Sequence, residues 1–227
     1  MNRARFVWLL ALSLSATANH AAAQTPPMTR GISVRMPETR NAATYADADN
    51  ANAWIVAVTV DGQLYFGPKP VTPEQLFEEM RATPRQRDAK LYIKADARST
   101  FSSLKTALGS ARSAQFENVV FLTSQPGSYS GGAIASPQGI NVEILPQEKE
   151  VIDVRLSSHA ETSQVIVNGK AIAWSELERT LKNLVRGPGE VVRVEANDAV
   201  PFADVIRVLD EARKTGARLA VPSYHSL

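Results

Sequence analysis

From about residue 54 onward, apolar and polar positions follow an ordered series, and the series is then written a second time. Ile55, Val56, Val58 and Val60 predict a strand, and Leu64–Phe66 its returning partner. Asp61-Gly62 between them predicts a two-residue hairpin turn, because both residues accept positive φ. Thr72-Pro-Glu-Gln75 is a helix start with a cap, a proline at the first helical position and a residue able to close a capping box. Leu76, Phe77 and Met80 mark the buried face of that helix. Lys90–Ala95 predicts a third strand. Phe101, Leu104, Leu108 and Ala111 recur at helical spacing, and Val119–Leu122 closes the unit as a strand.

The second writing begins at Gly139. Gly139–Pro146 (GINVEILP) echoes Gly31–Pro37 (GISVRMP), each an alternating run stopped by proline and each predicted to be an edge strand. Val151–Leu156 predicts a strand, and Gln164–Gly169 echoes Gln63–Gly67. Ser175–Glu178 offers a second capping box, followed by Leu177, Leu181 and Leu184. Val191–Ala196 repeats the third strand, Phe202, Val205, Ile206, Leu209 and Ala212 the amphipathic helix, and Leu219–Val221 the closing strand. At an offset of 101, Ala95, Phe101, Leu108, Ala111, Arg112 and Val120 fall on Ala196, Phe202, Leu209, Ala212, Arg213 and Val221. Residues 124–138 are rich in Ser, Gly and Pro and carry no charge, a linker composition. The expected class is therefore α+β: two tandem small domains, 24–123 and 139–227, each a ββαβαβ-like sheet with two helices packed on one face.

The N-terminus adds a destination. Arg3 and Arg5 precede an apolar run from Phe6 to Ala18, and Ala21-Ala22-Ala23 fits small-residue cleavage, leaving Gln24 first. A helix over those 13 residues rises about 20 Å, short of a roughly 30 Å hydrocarbon core. Residues 1–23 are thus expected to be a signal peptide, and the mature chain periplasmic. A retained membrane anchor is the alternative.

Composition narrows the chemistry. There is no cysteine among 227 residues, which removes disulfides, thiol nucleophiles and thiolate metal sites. A net charge of +2 gives no clustered basic surface for nucleic acid. His159 and His225 lie in a predicted loop and in the tail, too isolated for a metal site, so no metal or cofactor is expected. Gly127–Gly132 (GSYSGG) lacks the G-x-S-x-G pattern and a strand–helix setting, so Ser128 and Ser130 read as linker and no catalytic residue is assigned. Asp96 and Asn197 occupy matching places between a strand and a helix, which suits turn hydrogen bonding better than proton transfer. Asp47 and Asp49 read as solvated loop carboxylates, and Trp54 and Trp174 as core or rim residues. The candidate partner-binding residues are Ile32, Val34, Ile140, Val142 and Ile144. They give the two proline-terminated strands an apolar face beside a backbone edge that could pair with an extended peptide.

The ordered set resembles the periplasmic domain of the ExbD/TolR family of biopolymer-transport proteins. Gly31–Glu38 is similar to that family's x-V-x-V-x-L-P strand, Ile55–Thr72 to its hairpin with Asp-Gly at the turn, and Lys94-Ala95-Asp96 to its R-A-D strand end. The resemblance covers about 31–123 and, more weakly, 139–223. It implies a non-enzymatic periplasmic binding or accessory protein of a TonB- or Tol-type system, with an envelope protein or peptidoglycan as partner. It also implies dimerisation, which two modules on one chain could satisfy as an intramolecular pseudo-dimer. Family members carry one such domain on a transmembrane helix bearing an aspartate for proton-driven energisation, whereas Phe6–Ala18 contains no Asp or Glu.

Overall fold

A computed structural model describes residues 32–84, 89–125, 136–146, 150–159 and 162–224. Four helices and twelve strands form over them: β1 (Ala43–Thr44), β2 (Trp54–Val58), β3 (Leu64–Phe66), β4 (Lys69–Val71), α1 (Pro73–Ala82), β5 (Leu91–Ala95), α2 (Phe101–Ser113) and β6 (Asn118–Thr123), then β7 (Gln138–Leu145), β8 (Ile152–His159), β9 (Thr162–Val167), β10 (Lys170–Ile172), α3 (Leu177–Leu184), β11 (Val191–Ala196), α4 (Phe202–Arg213) and β12 (Arg218–Pro222). The expected α+β class, with two helices on one face of each half-sheet, is what these elements build.

The two halves share one sheet. Its order is β10-β9-β8-β11-β12-β7-β6-β5-β2-β3-β4, with β1 added to the start of β7. The order is palindromic about β7: β4, β3, β2, β5 and β6 on one side answer β10, β9, β8, β11 and β12 on the other. β12 runs parallel to β7 and β6 antiparallel, so the two five-strand halves run in opposite directions, as an approximate two-fold axis requires. One hydrophobic core spans both, from Trp54 and Leu91 through Phe121 and Ile140 to Val194 and Leu209. The connector at 124–138 therefore joins halves with a continuous core; its residues 126–135 lie outside the described ones.

Pleat alternation explains the layers. On β5, Leu91, Ile93 and Ala95 face the helices and Tyr92 the other side; on β6, Val119 and Phe121 face the helices, and Val120 and Leu122 do not. In the first half that second face is apolar and is covered by the 36–53 segment, whose Met36, Tyr45 and Ala48 pack on Tyr92, Val120 and Leu122. In the second half the corresponding strands place Asp153, Arg155, Arg193 and Glu195 there. Arg193 Nη2 donates to Asp153 Oδ1 at 3.0 Å, and Arg155 pairs with Asp153 at 2.8 Å. Beside the small apolar cluster of Leu145, Val191 and Ala220, this face carries an ion-pair ladder where the first half carries tyrosine and valine.

Several sequence expectations are corrected. Residues 32–37 form no strand, because the place beside β6 is taken by β7. Asp61-Gly62 is not a two-residue turn: Gly62 alone has positive φ (84°), and the Thr59 N–H donates to Gln63 O at 3.1 Å around a three-residue loop. The Thr72–Gln75 capping box forms, with Thr72 N–H donating to Gln75 Oε1 at 2.9 Å. The one at Ser175–Glu178 does not: a 3-10 turn at Trp174–Glu176 leads into α3 with no side-chain cap. Tyr92 pairs with Val120 and Arg193 with Ala220, so Val120 answers Ala220 rather than Val221. The connection into β12 is one residue shorter than the one into β6.

At Gly139 the crossing of β7 under Val120 leaves no room for a side chain. A Cβ there would lie 2.7 Å from Val120 Cγ1 and 2.9 Å from Phe121 O. Gly139→Ala is expected to cost on the order of 1 kcal/mol, read as a lower urea midpoint at unchanged slope.

Candidate functional site

The strand identified from sequence as a pairing edge, Gly139–Pro146, lies at the centre of the sheet. β7 pairs with β6 along one edge from Gln138 to Glu143. Its other edge is taken by β1 at Gln138–Gly139 and by β12 at Glu143–Leu145. Ile140, Val142 and Ile144 are 0%, 0% and 2% exposed and face the helices. They complete the sheet, and the backbone edges of their strand are paired within the chain. Ile32 and Val34 are half-buried in a segment docked across the C-terminal end of β5. Lys94 Nζ donates to Ile32 O at 3.0 Å, Arg35 N–H to Asp96 Oδ2 at 3.1 Å, and Ala97 N–H to Arg35 O at 2.7 Å. Desolvation by these contacts lowers the Lys94 pKa.

Asp96 and Asn197 are brought to equivalent turns. Ser99 N–H donates to Asp96 O, and Val200 N–H to Asn197 O, both at 3.0 Å. The Asp96 carboxylate also accepts from the Arg98 guanidinium at 2.9 and 3.0 Å and from the Arg98 N–H at 3.0 Å. The Arg98 bond is the largest cause holding its pKa down at about 2. The helices that follow have no side-chain caps. Each is capped by the other's entry turn. Phe101 N–H donates to Val200 O and Phe202 N–H to Ser99 O, both at 2.9 Å. Ser102 N–H donates to Asp198 O and Ala203 N–H to Ala97 O, at 3.2 and 2.9 Å. In both pairs donor and acceptor exchange under the 101-residue offset, around an isolated bridge between Thr100 and Pro201. Orphan donors at two helix N-termini are thus satisfied reciprocally.

Among the described residues the strand edges left unpaired at the two ends of the sheet are those of β4 and β10. Both are three residues long, and they occupy equivalent places. β9 and β10 are joined by a two-residue turn, Asn168 (φ 47°) and Gly169 (φ 80°). Val167 and Lys170 flank it as the hydrogen-bonded pair. Ala171, opposite Ile166, therefore turns its N–H and C=O away from β9. On the other edge Pro70, opposite Tyr65, holds the matching position and has no N–H to offer. Both residues are exposed. Sequence reading missed these strands because three residues are too few for alternation to register; the Asn168-Gly169 dipeptide was the available signal.

Asp47 and Asp49 sit in a 3-10 turn at Ala46–Asp49. Among the described residues no group of three or more His, Asp or Glu could hold a metal ion. Ser128, Ser130 and His225 lie outside the described residues, as does the side chain of His159. Trp54 is buried, edge-on to Phe66 with ring centroids 5.5 Å apart. Trp174 lies beneath Arg207, whose guanidinium carbon is 4.3 Å from the ring centroid.

Fold and edges together define a duplicated α+β module built on one mixed sheet. The family model described as biopolymer transport protein ExbD/TolR matches residues 10–126 and again 128–221. The chain belongs to the ExbD/TolR family, which places it among the envelope-associated biopolymer-transport proteins of TonB/Tol-type systems. No curated protein and no solved structure matches it significantly. Among the described residues no helix is long and apolar enough to cross a membrane.

Proposed function

We propose that the chain is an exported, periplasmic, non-enzymatic accessory of a TonB- or Tol-type system that captures an extended peptide of an envelope partner by strand pairing at β10. The observation that supports this is the outward-facing N–H and C=O of Ala171 on an exposed edge strand, at the position where the other edge carries Pro70. Main-chain pairing supplies affinity in this mode. The palindromic sheet and the exchanged helix caps support a companion reading. The two modules form within one chain what two copies of a single-module protein would form between them, leaving one edge blunted by proline and one competent.

The test is Ala171→Pro. It removes the donor at an exposed position, so the fold is kept. The full chain is expected to capture a TonB- or Tol-type protein from envelope extract, with slowed amide exchange at Lys170–Ile172, and the variant to lose both. Equal capture by the variant rules out pairing at β10. Peptidoglycan is the other ligand class; sedimentation of the chain with purified sacculi, unchanged in Ala171→Pro, would point there.

One observation supports the alternative of an uncleaved, membrane-anchored transport component: the family match begins at residue 10, inside the apolar N-terminal run. N-terminal sequencing of the exported protein separates the two, since a start at Gln24 excludes the anchor.

A further inference from the structure

The two copies differ where the sheet meets the first helix of each module. In the second copy Trp174 follows β10 and lays its indole against the helix-side surface. Its Nε1–H donates to Ser163 O at 2.7 Å, and Arg207 of α4 covers its ring. Ser163 Oγ in turn donates to Asp204 Oδ2 at 2.5 Å, tying that wall to α4. The equivalents of these residues in the first copy are fixed by the strand register and by the exchanged caps. Leu64 answers Val165 and Phe101 answers Phe202, so Pro73 stands for Trp174, Ser103 for Asp204 and Thr106 for Arg207, while Gly62, at the same offset as Ser163, lies in the 60–62 loop with φ 84° where Ser163 lies in β9.

The first copy has the same walls without the indole. Pro73, spent on starting α1, cannot reach into the space, and Thr106 is too short to cover it. A groove of about 610 Å³ is left between the 61–63 loop, the β4–α1 connection and α2, lined by Gly62, Thr72, Pro73, Ser102, Ser103 and Thr106 among others. That volume is in the range of small-ligand sites. The Gly62 carbonyl, at the same sequence offset as the acceptor of the Trp174 N–H, accepts no hydrogen bond among the described residues. Gly62 comes so close to α2 that a Cβ on it would lie 2.6 Å from Ser103 Oγ, so the loop forms the groove wall with backbone alone.

We propose that this groove receives a tryptophan side chain of a partner polypeptide, seated as Trp174 is seated in the second copy, with its indole N–H on the Gly62 carbonyl. The site is separate from the β10 edge and stands whether or not that edge pairs with a strand. It also suits its neighbour. β4 lacks an outward donor at Pro70, so a partner lying along this end of the sheet is anchored by a side chain rather than by a main-chain ladder.

The experiment is an NMR titration of the ¹⁵N-labelled full chain with end-blocked Ala-Trp-Ala, alongside Ala-Phe-Ala and Ala-Leu-Ala. Saturable shifts are expected with the tryptophan peptide at residues 62–64, 72–75 and 102–106, with Ala-Phe-Ala weaker and Ala-Leu-Ala silent. Pro73→Trp fills the groove from within, as the second copy does, and is expected to abolish the shifts. Thr106→Arg supplies the missing cover and is expected to tighten binding roughly two- to fivefold. No saturable shift in that region with the tryptophan peptide, or equal binding of all three peptides, overturns the proposal. Persistence of binding in a Pro73→Trp chain that melts at or above the wild-type temperature also overturns it. Equal binding of the tryptophan and phenylalanine peptides removes the assigned indole N–H bond to Gly62. Failure of Ala171→Pro to alter partner capture leaves every one of these outcomes unchanged.

Discussion

Truncating Phe202 to alanine is expected to unfold both halves of the chain together at a much lower temperature. Phe202 is fully buried at the seam, its ring edge-on to Phe121 of the other half with centroids 5.2 Å apart. Its N–H is one of the exchanged helix caps. Removing a buried phenylalanine ring costs about 3–5 kcal/mol in transfer and cavity terms. For a chain of this size that lowers Tm by roughly 6–20 °C. The informative part is cooperativity. Six paired residues between β6 and β7, a core cluster that spans both halves and the reciprocal caps leave neither half a way to unfold alone. Phe101→Ala, the equivalent change in the first half, should therefore shift the same single calorimetric transition by a similar amount. Two resolved transitions, with only the altered half moving, would contradict the shared core.

What the sequence made legible follows from what periodicity reports. Alternation at Ile140, Val142 and Ile144 states that one face of a strand is buried. It is silent about what lies beside the strand, so a central strand and an edge strand read alike. Gly31–Pro37 carries nearly the same alternation, yet its described residues 32–37 form no strand, and β7 occupies the place beside β6. That competition is a long-range fact with no local trace. The helices and inner strands were legible because each carries its own signal, as with Thr72–Gln75 and Phe101–Ala111. Residues 38–53, polar and alanine-rich, read as a loop, and the covering role of the 36–53 segment depends on Tyr92 and Val120 being apolar where Arg193 and Ala220 are the counterparts. For the site, the sequence put its candidate pairing residues on Ile140, Val142 and Ile144, which lie in a central strand, and on Ile32 and Val34, which lie in no strand. The outward amide of Ala171 and the tryptophan-shaped gap beside Pro73 become visible only when the two copies are laid over each other in three dimensions.

That comparison also fixes what Asp96 is for, and gives the second large expected effect. Asn197 makes the same turn with an exposed amide side chain, so the turn does not need a carboxylate. Asp96 differs in holding something: the Arg35 N–H of the displaced leading segment and the Arg98 guanidinium, from a side chain only 5% exposed. Those bonds keep its pKa at about 2, below the ordinary 3.8. A carboxylate whose pKa is depressed on folding contributes stability that is complete above about pH 4–5 and lost as pH falls through its folded value. The shift corresponds to roughly 2 kcal/mol. Asp96→Asn should therefore lower the urea midpoint by that equivalent at pH 7, and the wild-type and variant curves should converge as pH approaches 2. The hydrogen exchange of Arg35 should quicken in the variant at neutral pH while that of Val200, in the equivalent turn of the other copy, holds. A variant as stable as wild type at pH 7, or a deficit that persists unchanged at pH 2, would show that the carboxylate charge does not anchor the segment that β7 has displaced.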